Sequence, residues 1–226
     1  MSTSNIHPVL LTACLLLVGA LLGACGDQIP KVHLPEDAVL LAFGDSITYG
    51  TGAEKQQSYP AILSRLSGHK VINAGIPGEV SAQGKQRLPG LLDRYKPGLL
   101  ILCHGGNDLL RRLNSADMKS NLEAMIDSAT QRNIPVLLIG VPSFALLFLE
   151  ANEIYNEVAE KYALLYEGKV LPRVESTPDL KSDRIHPNAE GYRKIALAVH
   201  QLLQDSGALR ERTVGSNSFD QTRLAE

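Results

Sequence analysis

Short, continuous apolar runs alternate with helical patterns along this chain, and that alternation narrows the possible folds more than any other feature. The runs are Val39–Phe43, Val71–Ala74, Leu99–Cys103 and Val136–Val141, with a weaker fifth at Lys169–Leu171. Each has strand length. Most are apolar throughout rather than at every second residue. A strand buried on one face alternates, whereas a strand buried on both faces does not; the second condition is that of a parallel sheet covered by helices. The helical patterns are Tyr59–Leu66, Ala82–Tyr95, Met118–Arg132, Asn152–Tyr166 and Ala189–Gln204. In the third, Met118, Leu122, Met125, Ile126 and Ala129 recur at three- and four-residue spacing and mark one helix face. The expected fold class is α/β: a three-layer α/β/α sandwich on a five-stranded parallel sheet, flavodoxin-like in plan.

A chain of 226 residues suits one domain with a sizeable core. Lys and Arg number 22 against 24 Asp and Glu, so no basic field exists to gather nucleic acid. No His, Cys, Asp or Glu cluster has metal-ligand spacing, and the chemistry read below calls for no metal and no cofactor.

The first apolar run leads directly into Phe43-Gly44-Asp45-Ser46-Ile47-Thr48-Tyr49-Gly50. A strand ending in Gly-Asp-Ser presents a hydroxyl at the carboxyl edge of the sheet, where open α/β folds place their chemistry. Serine alone is a poor nucleophile and needs a base and oxyanion donors. Asp183 and His186 sit three residues apart in D-R-I-H-P-N, so the carboxylate can hold one ring nitrogen and aim the other at Ser46. Pro187 favours extended backbone at His186, and Asn188 suits the cap of the following helix. Asn107 follows a Gly-Gly pair just past the third run. Each residue also has a plainer reading: Asp45-Ser46 as a helix cap, Asn107 as a turn former.

Taken in order, four blocks resemble the SGNH (GDSL-type) hydrolase family: Gly44-Asp45-Ser46, Asn73-Ala74-Gly75-Ile76-Pro77-Gly78, Gly105-Gly106-Asn107-Asp108 and Asp183-Arg184-Ile185-His186-Pro187. The likeness runs from about Val39 to Leu203. It is nearest to bacterial periplasmic arylesterases, lysophospholipases and thioesterase I-like enzymes. The resemblance implies an esterase with a Ser46, His186 and Asp183 triad. It also implies an oxyanion hole from the N–H groups of Ser46 and Gly78 and the Asn107 amide. Small acyl esters or lysolipids are the expected substrates. A carbohydrate or peptidoglycan O-acetylesterase would share every one of these residues. A flavodoxin-like module cradling phosphate on Gly44–Gly52 would leave Gly78, Asn107 and the Asp183–His186 pair without a role.

The stretch Phe144-Ala145-Leu146-Leu147-Phe148-Leu149 follows the fourth run. It reads either as the start of a core helix or as the wall of an acyl pocket, with Phe144, Leu146, Leu147, Phe148, Ile154 and Tyr155 as candidates. His104 reads as structural, and Arg111 and Arg112 as a solvated helix end.

Val9 to Ala24 is almost wholly apolar and too short for a comfortable membrane span. It ends in Leu22-Gly23-Ala24-Cys25, which resembles a bacterial lipobox; an ordinary cleaved secretory signal is the alternative. The expected plan is a signal peptide at 1–24, a lipid anchor and tether at 25–37, a hydrolase domain at 38–205 and a polar tail at 206–226. Lipidated Cys25 then anchors an enzyme of the cell envelope, monomeric as the simplest expectation. Cys14 would leave with the signal, and Cys103, inside an apolar run, reads as a small core residue.

Overall fold

The computed structural model describes residues 29–143 and 150–209. Five strands form one sheet: β1 (Val39–Gly44), β2 (Lys70–Gly75), β3 (Leu99–Cys103), β4 (Val136–Ile139) and β5 (Leu165–Glu167). Their spatial order is β2-β1-β3-β4-β5, and every pair is parallel. Leu40 to Phe43, Leu99 to Leu102 and Leu137 to Ile139 are fully buried, which is why these runs are apolar without alternation. The edges read differently. In β2, Lys70 and Asn73 are exposed; in β5, Leu165 alone is fully covered.

The helices are α1 (Ser46–Tyr49), α2 (Tyr59–Ser67), α3 (Ser81–Tyr95), α4 (Gly106–Leu110), α5 (Ser115–Thr130), α6 (Glu153–Tyr162), α7 (Val170–Ser176) and α8 (Ala189–Asp205). One layer pairs α3 with α5, and α6 lies against α5; the other pairs α2 with α8, and α7 lies against α8. The α5 stripe of Met118, Leu122, Met125, Ile126 and Ala129 is buried, as its spacing predicts. Asn caps start α5, α6 and α8. Asn114 Oδ1 accepts from Ala116 and Asp117 N–H, Asn152 from Ile154, and Asn188 from Glu190 and Gly191.

Two expectations about the last strand fail together. The predicted helix Asn152–Tyr166 stops at Tyr162, because Ala163 turns left-handed at φ 48° and ends it. Leu165 then pairs beside Leu137 as β5. The predicted strand Lys169–Leu171 instead opens α7, since the Glu167 carboxylate accepts from the N–H groups of Lys169 and Val170.

The packed unit is also longer than 38–205. Val32 N–H donates to Ser206 O, Lys31 Nζ donates to Asp205 O, and Leu34 joins the core beside Ala208 and Leu209. Residues placed in the tether and the tail thus close the sheet's amino end together. Residues 1–28, including the signal segment and Cys25, and 210–226 lie outside the described residues. Among the described residues no helix is long and apolar enough to cross a membrane.

Leu209 is 7 % exposed, so it behaves as core rather than tail. Leu209→Ala should cost about 2 kcal/mol. Thermal unfolding should register that as a loss of roughly 4–8 °C in Tm; an unchanged midpoint would place Leu209 in a loose tail after all.

Candidate active site

The order β2-β1-β3 means that the chain leaves β1 toward one side and returns past it to β3. The crevice at the carboxyl ends of β1 and β3 is therefore the sheet's switch point, where open α/β sheets bind ligands. Ser46 follows β1 and Asn107 follows β3, so both stand at that crevice. The strands meet closely there: a Cβ on Gly44 would lie 2.0 Å from Cys103 O and 2.4 Å from Thr48 Oγ1. Only glycine lets β1 turn at this point.

Asp45 and Ser46 keep both readings made from sequence. Asp45 caps α1, its Oδ1 accepting from Ile47 N–H at 3.1 Å, and Ser46 is the first helical residue. Capping is what fixes the hydroxyl at the edge. His186 comes from the loop before α8 and places Nε2 3.0 Å from Ser46 Oγ. Its Nδ1 lies 2.7 Å from Asp183 Oδ2. Asp183 Oδ1 accepts from the N–H groups of Ile185 and His186, both at 2.8 Å, so the carboxylate is oriented by its own loop. Burial acts to raise the Asp183 pKa, but the His186 N–H, the imidazole and the Ile185 N–H outweigh it and bring it down to about 2. The loop is braced by Ser182 N–H on His186 O and by Asn188 Nδ2 on Asp179 O.

The other side of the crevice is the Ile76–Val80 loop after β2. Ile76 N–H donates to Gly44 O, tying it to β1. Gly78 adopts φ +79°, a left-handed conformation that favours glycine, and its carbonyl accepts from Arg111 Nη2 at 2.8 Å. Arg111, expected to be merely solvated, thus links α4 to this loop. Asn107 Nδ2 donates to Glu79 O at 3.0 Å and, at a longer 3.3 Å, to Asp45 Oδ2.

Beneath the loop lies a network that no local sequence pattern marks. Glu79 receives Arg87 Nε at 2.8 Å and Nη2 at 2.6 Å, with His104 Nε2 at 3.1 Å. The Arg87 guanidinium stacks 4.2 Å from the Phe43 ring centroid and also donates to Ala74 O. Burial pushes the Glu79 pKa up, but His104 and Arg87 together bring it down to about 2. His104 Nδ1 accepts from Gly105 N–H, so Nε2 carries the proton toward Glu79. His104 is structural, as expected. Next to it, Asp108 accepts from Ser81 N–H and Oγ, and Asn121 Nδ2 donates to Ser81 Oγ, joining α3, α4 and α5.

A pocket opens beside Ser46 and Asn107, walled by Ile47, Leu110, Val141 and Ile185, with Glu175 of α7 at its side. Glu175 is 7 % exposed, and among the described residues no hydrogen-bond partner reaches its carboxyl. Burial first, then the nearby Asp45, push its pKa up to about 8, against the opposing pull of Lys181. Burial also raises Asp45, offset in part by His104, the Ile47 N–H and His186. Of the predicted pocket residues, Tyr155 is a correction. It is fully buried and donates to His104 O at 2.7 Å, so it belongs to the core. Ile154 packs half-buried against the core. Phe144, Leu146, Leu147 and Phe148 lie outside the described residues. Among the described residues no group of His, Cys, Asp and Glu is arranged to hold a metal ion, and Cys103 is buried and unpaired.

A serine, an imidazole and a carboxylate in line at the switch point of a parallel α/β sheet form an arrangement suited to a hydrolase that transfers acyl groups. Comparison with known proteins gives the same class. The pattern of the GDSL-like Lipase/Acylhydrolase family matches residues 42–194. Esterase TesA of Pseudomonas aeruginosa is 36 % identical over 156 residues, which cover 64 % of this chain and 78 % of TesA. Thioesterase 1/protease 1/lysophospholipase L1 of Escherichia coli K12 is 30 % identical over 172 residues, covering 73 % and 83 %. A crystal structure of TesA superposes with a TM-score of 0.65 at 29 % identity, covering 74 % of this chain and 99 % of that one. The chain belongs to the GDSL-like lipase/acylhydrolase family.

The Glu79 network makes a prediction independent of catalysis. Glu79→Gln removes the charge that Arg87 and His104 face, at a cost of about 2 kcal/mol near neutral pH. A carboxylate with a lowered pKa stabilises the fold above its unfolded pKa and loses that contribution as pH falls toward the folded value. The gap in Tm between wild type and Glu79→Gln should therefore close between about pH 4.5 and pH 2. A gap that stays constant across that window would exclude the ionic role.

Proposed function

We propose that this enzyme hydrolyses carboxylic esters and acyl thioesters with Ser46 as nucleophile, His186 as base and Asp183 as the group that orients it. The observation carrying this reading is the line Ser46 Oγ–His186 Nε2–His186 Nδ1–Asp183 Oδ2, with spacings of 3.0 and 2.7 Å. Asp183, held ionised by its lowered pKa, accepts a hydrogen bond from Nδ1–H and so leaves the Nε2 lone pair for the serine hydroxyl. Ser46 Oγ attacks the carbonyl carbon as its proton passes to Nε2. The tetrahedral oxyanion is met by the N–H groups of Ser46 and Gly78 and by Asn107 Nδ2. One amide hydrogen of Asn107 stays on Glu79 O. The other, held only at the longer 3.3 Å by Asp45, is shared with the oxyanion. Collapse expels the alcohol or thiol, which takes the proton from His186. Water then adds to the acyl-serine by the same route in reverse and releases the acid. Relatives named esterase, thioesterase and lysophospholipase support acyl esters, thioesters and lysolipids as the substrate class. A second reading, hydrolysis of short O-acetyl esters, is favoured by the acidic side chain in the wall of the described pocket.

We further propose that the chain is exported and that Cys25 is lipidated, on the strength of the apolar Val9–Ala24 segment and the Leu22–Cys25 box. A diacylglyceryl cysteine carrying a third, amide-linked chain gives stable anchoring where one acyl chain gives only marginal binding. Mass spectrometry of the mature N-terminus tests this; an unmodified first residue refutes it.

Ser46→Ala should lower kcat for p-nitrophenyl acetate by roughly 10⁴-fold or more and abolish labelling by a fluorophosphonate probe. Asn107→Ala should lower kcat by about 10²–10³-fold with little change in KM, since its donor acts mainly on the transition state. Undiminished labelling of Ser46→Ala, or a loss for Asn107→Ala confined to KM, would contradict these roles.

A further inference from the structure

Glu175 has no part in the steps above, yet it is held in the wall of the pocket beside the reacting serine. Among the described residues it is one of two buried carboxyl groups there, and the two are used differently. Asp45 spends its oxygens on Ile47 N–H and Asn107 Nδ2. Glu175 spends none on any described residue, although it is 7 % exposed and lies among Ile47, Val141 and Ile185. Its position follows from α7. Leu171, Val174 and Glu175 share one helix face at spacings of three and four, and all three are buried. The helix that delivers two apolar residues to the core therefore delivers a carboxyl to the pocket. Tyr166 Oη is the enclosed side-chain oxygen without a partner among the described residues; the Glu175 oxygens are not of that kind and open onto the pocket, where a bound group can meet them.

We propose, on the reading that Ser46 carries the acyl group, that Glu175 is a specificity-determining residue. Its carboxyl forms a polar subsite for the acyl chain, which disfavours apolar chains long enough to reach it and accepts acyl groups bearing a hydrogen-bonding group there. An apolar chain lying against the carboxyl removes its remaining water and offers no hydrogen bond in return. A hydroxyl-bearing chain replaces the water. The groups facing Glu175 are Asp45 at the end of β1, Lys181 just after the 3-10 turn Pro178–Leu180, Cys103 of β3 and Tyr192 of α8. Burial holds the Cys103 thiol and the Tyr192 hydroxyl well above their usual values, so neither ionises near neutrality. Glu175, raised to about 8, changes charge between pH 7 and pH 9. A charged carboxylate resists losing water more than a neutral acid does. Discrimination against apolar chains therefore strengthens as pH rises through about 8.

The test is the ratio of kcat/KM for p-nitrophenyl hexanoate to that for the acetate, which cancels any pH dependence of the steps common to both. Wild type is compared with Glu175→Leu and Glu175→Gln from pH 7 to pH 9, on the full-length chain. In wild type the ratio should fall as pH rises through about 8. In Glu175→Gln it should be level across that range. In Glu175→Leu it should be higher by about tenfold, ~1.4 kcal/mol of discrimination. Fluorophosphonate labelling of Ser46 and a thermal melt on each variant report separately on the nucleophile and the fold. Failure of wild type to label at Ser46 would overturn the serine reading itself. Normal labelling with a ratio unaltered by Glu175→Leu, or a wild-type ratio level across pH 8, would overturn the role of Glu175 alone. Glu175→Gln, close in size and shape, keeps the proposal falsifiable if Glu175→Leu does not fold.

Discussion

The reversal of strand order at β1 is the constraint on which the rest of the site depends. Because β2 and β3 flank β1 on opposite sides, the connections after these three strands emerge around one crevice. Each connection then brings one kind of group. The turn after β1 brings a hydroxyl, the loop after β2 brings backbone N–H groups around Gly78, and the turn after β3 brings an amide. None of these could meet if β1 lay at an edge. The fourth contribution, the Asp183–His186 loop, arrives from far along the chain and is aimed by its own hydrogen bonds rather than by a strand.

Beneath that crevice the electrostatics are arranged so that charge is fixed where geometry matters. Glu79 sits between Arg87 and His104 and stays ionised, which pins the loop whose carbonyl holds Asn107. Arg111 holds the same loop from the outside through Gly78 O. Asn107 is thereby set by contacts on both sides before a substrate is present. For the donor role proposed for Asn107, such preorganisation means that little rearrangement is needed as charge develops.

Much of this was legible in the sequence because it depends on short-range signals. The central strands announce themselves: Leu40–Phe43 and Leu99–Leu102 are buried on both faces and must be apolar throughout. Ser46, Asp183 and His186 were legible because each sits in a local pattern, a strand end or a three-residue spacing. The failures have equally physical causes. β5 is a three-residue edge strand with one fully buried side chain, too little to outweigh the helical pattern running into it. Its true end signal, Ala163 in a left-handed turn, is invisible where glycine is the expected residue. Taking Lys169–Leu171 for a strand hid α7, and with it the face that carries Glu175. In a helix, an acid in step with Leu171 and Val174 stands on the buried face. The Glu79–Arg87–His104 cluster joins residues up to 25 positions apart, and no spacing rule reaches across such a gap.

Glu175 also bears on how the fold balances stability against its site. The unfolded chain releases this proton near the ordinary glutamate value of about 4.3, whereas the folded chain holds it to about 8. Between those values the native state binds more protons than the unfolded one, so this residue lowers stability as pH rises across the window. Asp183 and Glu79 act in the opposite sense, adding stability as pH rises above their lowered values. A glutamine or leucine at 175 would relieve the first effect without disturbing any hydrogen bond among the described residues. Core packing therefore supplies no reason for an acid at this position, since Leu171 and Val174 already secure α7 to the core. What distinguishes the position is the pocket wall it occupies next to Ser46, and a destabilising group held at such a wall is the pattern of a residue kept for what it meets in the pocket rather than for the fold.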